Sequence, residues 1–230
     1  MKTAAGYFVR RKRDAKLATR ENRPLVRGRQ GALILLALSA AILSGCGASR
    51  PIKYYQLTVP ADVKSSAAPT ASASVALALG PLVTSHLYRE DRIVYSAGPG
   101  EMGTYAYQRW AEPPVEMMQE VLLRELRASG RYQDVHSQRS NAQGDFVLRG
   151  HLYDFKEVSG SPLIARVTAE WELRDLRSGS TVWTHYYSHD EPVNGKDVAA
   201  MVAALDRNVQ RGIAEVTASL DQYFTAQSNK

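Results

Sequence analysis

The sequence has almost no cysteine: Cys46 is the single one among 230 residues. One thiol cannot form an intramolecular disulfide and cannot supply a metal centre built from several cysteines, so both kinds of site are excluded. An unpaired thiol is also unusual in an exported protein unless a modification consumes it. The surroundings of Cys46 therefore carry information about where the chain resides.

Motifs of the common catalytic machineries are also missing. The sequence has no phosphate-binding loop of the form G-x-x-x-x-G-K-[ST], which excludes a P-loop ATPase. Ser161 and Ser180 follow glycines, but neither lies in a G-x-S-x-G nucleophile elbow. His185 and His189 are four residues apart in a predicted strand, where four residues span about 13 Å, too far for one metal ion. We predict no catalytic residue, no metal and no cofactor, and hence no enzyme.

No apolar run reaches the length of about 20 residues that a transmembrane helix needs. The run at 31–44, GALILLALSAAILS, has the size of the apolar core of a signal peptide and follows a basic stretch. We therefore predict that residues 1–45 are a signal peptide that is removed. A twin-arginine signal at Arg10-Arg11 is disfavoured because apolar residues do not follow the pair, and a translation start at Val26 remains an alternative.

The end of this run, Leu43-Ser44-Gly45-Cys46, resembles a bacterial lipobox. The resemblance implies cleavage before Cys46, a diacylglyceryl thioether on its sulfur and a third acyl chain on the new amino terminus. Each buried CH₂ of such chains contributes about 0.8 kcal/mol, so several chains anchor a protein durably. Gly47 stands where aspartate favours retention at the inner membrane in enteric lipoproteins, which favours the outer membrane. Residues 46–50 would form a short tether.

The net charge of +6 does not describe the part of the chain after this segment. Residues 1–45 contain ten basic and two acidic residues, which leaves 19 basic and 21 acidic residues in 46–230. A slightly acidic domain gives no electrostatic support for binding nucleic acid. We predict no nucleic-acid partner.

Hydrophobic periodicity predicts one α+β domain at residues 51–226, with a mixed or antiparallel sheet packed against two main helices. Apolar residues at spacings of three and four predict helices at about 113–129 and 196–225, the second capped by Asn194. Alternating or β-branched runs predict the strands. The predicted strands are 52–59, 75–79, 91–96, 104–110, 146–158, 163–176 and 181–187.

Several segments of this domain occur in a familiar order. They are Tyr54-Tyr55-Gln56-Leu57 after the cysteine, VALALGP at 75–81, YREDRIV at 88–94 and YQRWAEP at 107–113. Over residues 50–225 the chain resembles the ABC-type transport auxiliary lipoproteins, the PqiC-like family. The resemblance implies a lipoprotein on the periplasmic face of the outer membrane.

The resemblance also implies partners. They are a ring-forming MCE (mammalian cell entry) protein of the periplasm and its ABC permease and ATPase, and the chain itself would form a homo-oligomer. We expect Arg109, Trp110 and Glu112, at the exposed start of the first helix, to contact the MCE protein, because aromatic and arginine side chains often anchor interfaces. The alternative is that such aromatic residues fill the core. An alternative function is that the lipoprotein itself carries phospholipid in an apolar cleft.

Overall fold

A computed structural model describes residues 50–60, 73–138 and 144–228. These residues form an α+β fold, as predicted, with eight strands in one mixed sheet and two α-helices. The signal peptide at 1–45 and tether residues 46–49 lie outside the described residues. The strands are β1 (Lys53–Tyr55), β2 (Ala73–Thr84), β3 (Arg92–Gly98), β4 (Glu101–Trp110), β5 (Tyr132–Ser137), β6 (Phe146–Val158), β7 (Ile164–Asp175) and β8 (Thr181–Pro192). The helices are α1 (Pro114–Ala128) and α2 (Val198–Ser228).

The sheet forks at its central strand, β6. On one edge β6 pairs along its whole length with β7, which pairs in turn with β8, both antiparallel. On the other edge its first half pairs with β2 and its last three residues pair with β3, both parallel. β5 continues the sheet beyond β2, and β4 and then β1 continue it beyond β3. The two branches therefore diverge from one strand.

The core lies between this sheet and the helices. Alternate residues of β7 are buried, from Ala165 at 0 % to Trp171 at 2 % exposure, while Arg166 and Glu170 between them are partly exposed. This alternation is the one that the sequence predicts for a strand with one wet face. α2 buries a stripe of residues spaced by three and four against the sheet. The stripe comprises Leu205, Val209, Ile213, Val216, Leu220 and Phe224.

Both predicted helices are present, with small differences at their ends. α1 begins with Pro114, whose missing N–H costs nothing in the first turn, and Gly130 follows its end with φ of +61°. The prediction that Asn194 caps α2 is wrong: the carboxylate of Asp197 accepts a hydrogen bond from the Ala200 amide at 2.8 Å. Asp197 immediately precedes the first helical residue, where a cap must stand. No helix in the described ranges is long and apolar enough to cross a membrane.

Several strands differ from the sequence prediction: β8 ends at Pro192 instead of residue 187, β4 begins at Glu101 instead of residue 104, and β1, β2 and β5 differ as follows. β2 does not end at Gly80-Pro81 but passes through them with a register shift between Leu79 and Leu82, and proline is tolerated at such a bulge. β1 is only three residues long because the chain after Tyr55 leaves the sheet for α2. There Asp206 accepts hydrogen bonds from the amide and hydroxyl of Thr58 at 2.8 and 2.7 Å. β5 has no sequence prediction, since YQDVHS does not alternate.

One buried polar residue joins α2 to the two strands beneath it. Asn208 is 0 % exposed and donates hydrogen bonds to the carbonyls of Ala165 and His189, each at 2.9 Å. Its side-chain oxygen accepts a hydrogen bond from the Tyr187 hydroxyl at 2.6 Å. Three polar groups of β7 and β8 therefore bond to this single side chain, and the Tyr187 hydroxyl also lies 3.0 Å from the backbone carbonyl of Asn208.

We expect Asn208→Leu to lower the free energy of unfolding by about 2–3 kcal/mol, because a buried polar group left without its partner costs about 1–3 kcal/mol. Urea denaturation followed by circular dichroism measures the change. Asn194→Leu is the matched control, since Asn194 is exposed and its replacement should change stability by less than about 0.5 kcal/mol. Equal stability of the two variants would contradict the role assigned to Asn208.

Candidate functional site

A cleft of about 940 Å³ lies beside α1. Its walls are α1 itself, the segment after β1, the bulged part of β2 and the end of β5. The lining residues are Gln56, Leu57, Val59, Leu79, Gly80, Pro81, Ala111, Glu112, Glu116, Met117, Gln119, Glu120, Leu123, Arg124, Ser137 and Gln138. The cleft therefore forms where the two branches of the sheet and the first helix meet.

The helix side of the cleft is acidic. Glu116 and Glu120 are four residues apart within α1, which places their side chains along one face, and Glu112, just before α1, also lines the cleft. Arg124 continues the same line and donates a hydrogen bond to Glu120 and another, of 3.3 Å, to the carbonyl of Pro60. Three carboxylates and one guanidinium leave this wall with a net negative charge.

The floor of the cleft is apolar and held in place by close packing. Leu57, Leu79 and Met117 are buried beneath the charged rim. Gln119 on α1 donates a hydrogen bond of 2.7 Å to the carbonyl of Gly80, which the bulge in β2 turns away from the strand ladder. A Cβ atom on Gly80 would lie 2.9 Å from Cγ1 of Val147, so only glycine lets β2 approach β6 here. α1 and β2 thus fix the width of the cleft.

The opposite wall is fixed to α2. Besides the two bonds from Thr58 to Asp206, the side chain of Gln210 donates a hydrogen bond of 2.8 Å to the Thr58 carbonyl. This contact holds residues 56–59 against the helix instead of letting them extend β1. The cleft is therefore bounded on each side by an element tied into the fold.

The lining of the cleft combines polar and apolar side chains. It offers carboxylates, carboxamides and an apolar floor, and the lining residues include neither histidine nor cysteine. Over the part of the chain that the structure describes, no group of three or more His, Cys, Asp or Glu side chains is placed to hold a metal ion. Such a lining suits a polypeptide segment that combines basic and apolar side chains.

The structure separates the three residues predicted to contact a partner. Glu112 is exposed and lines the cleft. Trp110 is 0 % exposed, with its ring edge-on to Phe155 at a centroid distance of 5.4 Å, so its predicted place on the surface is wrong. Arg109 is partly buried and pairs in register with Tyr54 of β1, away from the residues that line the cleft. Contact by Arg109 or Glu112 stays a prediction.

The reason for the burial of Trp110 is its position in β4. Consecutive side chains of a strand point to opposite faces. In register Trp110 stands beside Tyr55, and Arg109 stands beside the exposed Tyr54. The tryptophan therefore points into the core and the arginine points away from it, although both precede the same helix.

The lipobox residues Leu43, Ser44, Gly45 and Cys46 lie outside the described residues. Lipid attachment at Cys46 is therefore a sequence prediction to be tested by experiment.

His185 and His189 both lie on the strand β8, as predicted, and their side chains have different surroundings. The ring of His185 stacks on Trp183 at 5.8 Å, and His189 lies in a group of charged side chains. There Arg207 and Arg211 lie within 3.1 and 3.2 Å of the Glu191 carboxylate. Burial tends to raise the pKa of Glu191, but the two arginines outweigh it and hold that pKa below its ordinary value.

Asp190, which lies between His189 and Glu191 in the sequence, has an ion-pair partner of its own. Nε and Nη2 of Arg166 each donate a hydrogen bond of 2.7 Å to its two carboxylate oxygens, and this pair lowers the pKa of Asp190. The His189-Asp190-Glu191 stretch is therefore a set of ion pairs between β7, β8 and α2.

Sequence reasoning missed the cleft, although part of it was visible. The four-residue spacing of Glu116, Glu120 and Arg124 marks one face of α1. The facing wall comes from residues 56–59 and from β2 and β5, and no local pattern links them to α1.

Comparison with known proteins gives a family and a fold. The family model for the ABC-type transport auxiliary lipoprotein component matches residues 55–217. A protein of Xanthomonas campestris has a similar structure, with a TM-score of 0.62 and 20 % identity over 74 % of this chain and 99 % of that one. A hypothetical protein of Chlamydia trachomatis has a TM-score of 0.50 and 12 % identity over 67 % of this chain and 99 % of its own. No curated protein matches the sequence.

Proposed function

Because the chain belongs to the family of ABC-type transport auxiliary lipoprotein components, we propose that it is a non-enzymatic subunit of an MCE-type lipid transport system. The acyl chains on Cys46 hold it at the outer membrane, and its domain faces the periplasm. There it docks the MCE protein, whose ABC permease and ATPase lie at the inner membrane.

The observation that carries this proposal is the position of the lipobox relative to the family domain. The match begins at residue 55, and only four residues separate Cys46 from Pro51. At no more than about 3.5 Å each, these four residues reach about 14 Å. A domain on so short a tether stays next to the bilayer, where it can receive the end of a protein that spans the periplasm.

The cleft beside α1 is our candidate for the docking surface. Its carboxylates would attract basic side chains of the partner, and its floor of Leu57, Leu79 and Met117 would take up apolar ones. The same carboxylates argue against the second candidate, a lipoprotein that carries phospholipid here, because like charges would repel the anionic phosphate. The geometry therefore favours a protein segment as the occupant.

Charge reversal in the cleft tests this function. We expect Glu112→Arg combined with Glu116→Arg to weaken capture of the MCE partner by about tenfold or more, since rim charges set encounter and register and like charges repel. Affinity capture of the MCE protein from solubilised membranes measures the effect. Glu215→Arg is the matched control, because Glu215 is an exposed glutamate on α2 that does not line the cleft.

Both variants should remain folded, because the replaced side chains are exposed and the arginine placed in the first turn of α1 lowers the free energy of unfolding by only about 0.3–1 kcal/mol. Capture that is equally strong with the double variant and the control would reject docking at the cleft. Failure of every form, including the unmodified protein, to capture an MCE protein would reject the proposed function itself.

A further inference from the structure

Large apolar side chains are exposed around β1, the edge strand that follows the tether. Ile52, Tyr54 and Tyr107 are 47, 63 and 42 % exposed. Tyr54 pairs in register with Arg109, and Tyr107 is two residues from Arg109 on β4. Because side chains alternate along a strand, Tyr54, Tyr107 and Arg109 lie on the same face of the β1–β4 pair. Two aromatic rings and a guanidinium therefore share one surface.

Basic side chains accompany these aromatic rings. The guanidinium of Arg50 lies 5.6 Å above the centroid of the Tyr107 ring, a cation–π contact. Residues 50–60 contain no acidic residue, and their second basic residue, Lys53, lies on the opposite face of β1 from Tyr54. Apolar rings with nearby cations are the combination found at the headgroup level of membranes, where tyrosine is enriched and basic residues meet anionic lipids.

The tether limits how far this surface can be from the lipid anchor. Arg50 is four residues after Cys46, a distance of at most about 14 Å in an extended chain. The glyceryl group on Cys46 would sit where headgroups meet acyl chains, and the headgroup region of one leaflet is only about 5–8 Å thick. Arg50 lies against Tyr107, so the surface and the headgroups are within reach of each other.

We propose that Arg50, Ile52, Tyr54 and Tyr107 form a membrane-contact patch that lies on the headgroup region of the bilayer holding the anchor. This inference rests on the proposed attachment of lipid at Cys46. The anchor supplies affinity, and the patch sets the orientation of the domain. β1 and β4 face the lipid, and the rest of the sheet extends away from it.

Single-cysteine probes test the patch directly, because the sulfur of Cys46 is consumed as a thioether in the mature lipoprotein. The protein carrying Tyr54→Cys is labelled with an environment-sensitive nitrobenzoxadiazole fluorophore. It is then reconstituted into vesicles that contain phosphatidylethanolamine in excess over phosphatidylglycerol. A second set of vesicles also contains phosphatidylcholine with a doxyl quencher on its acyl chain. Tyr107→Cys gives an independent second position in the patch.

Tyr186→Cys is the matched control. Tyr186 is also a tyrosine of 63 % exposure in a strand, but it lies on β8. Four strands separate it from β1 along the sheet, about 24 Å at the usual strand spacing of about 4.8 Å. A membrane that contacts β1 would leave the fluorophore on β8 in water.

We expect blue-shifted emission at positions 54 and 107, and doxyl quenching roughly twofold or more stronger there than at 186, because the patch lies at the headgroup–acyl boundary. Water-like emission at positions 54 and 107 would contradict the membrane-contact patch. A blue shift at these positions without quenching by the doxyl lipid would also contradict it, because a protein surface, such as another copy of the chain, would then cover the patch. If the fluorophore also labels the unmodified protein, the Cys46 thiol is free. That result would contradict the proposed lipid attachment at Cys46, not the membrane-contact patch.

Discussion

Replacing Cys46 with alanine should abolish lipid attachment and remove the protein from the outer-membrane fraction. The thioether requires a thiol, and no other residue of the chain provides one. Each buried methylene contributes about 0.8 kcal/mol, so losing two or three acyl chains removes nearly all membrane affinity of the mature domain. Metabolic labelling with radioactive palmitate, followed by separation of inner and outer membranes, measures both effects.

Ser44→Ala is the control for this experiment. Alanine is as small as the serine that it replaces, so cleavage and acylation should continue. An alanine variant at Cys46 that still incorporated palmitate and sedimented with the outer membrane would contradict the lipobox prediction. If the unmodified protein incorporates palmitate but is found in the inner membrane, only the outer-membrane location predicted from Gly47 would be contradicted.

Replacing Trp110 with alanine should lower the free energy of unfolding by about 3–5 kcal/mol, as usual for truncation of a buried aromatic residue. The side chain is 0 % exposed, and its edge-on contact with Phe155 joins the branch of β3 and β4 to the central strand β6. Removing it leaves a cavity where the branches diverge. Urea denaturation followed by tryptophan fluorescence and circular dichroism measures the loss.

Glu112→Ala, two residues further along the chain, is the comparison, because its exposed side chain should contribute less than about 0.5 kcal/mol. Comparing the two variants separates an effect on the stability of the fold from an effect on docking of the MCE protein. Loss of partner capture in Trp110→Ala would follow from instability and would not locate an interface. A Trp110→Ala protein that was as stable as the unmodified one, yet no longer bound the MCE protein, would return Trp110 to the partner surface.

Trp110 also shows where sequence patterns stop being informative. Its neighbours Pro113 and Pro114 mark the start of a helix, and that prediction is correct. The direction of the tryptophan depends on the pairing of β4 with β1 and β3, and β1 comes from a segment more than 50 residues earlier in the chain. Strand register is a non-local property, so a local pattern predicts the element but not the face.

The elements confirmed from sequence share a local cause. The bounds of β6 agree with the prediction, and α1 and α2 agree within a few residues, because their apolar residues repeat with the period of the structure they form. β5 was missed because its buried residues, Tyr132, Val135 and His136, do not alternate with exposed ones. β2 was predicted too short because Gly80-Pro81, usually a strand end, lies here in a bulge whose carbonyl Gln119 binds.

Local sequence patterns predicted the α+β class, the two helices and the lipobox at Cys46, because each depends on residues that are neighbours in the chain. The other features depend on how the elements pack in three dimensions. Tertiary packing forked the sheet at β6, buried Trp110, opened the acidic cleft between α1 and residues 56–59, and exposed Tyr54 and Tyr107 beside the tether. These features arise from segments that are distant in sequence, and only the packing of strands and helices around one core brings them together.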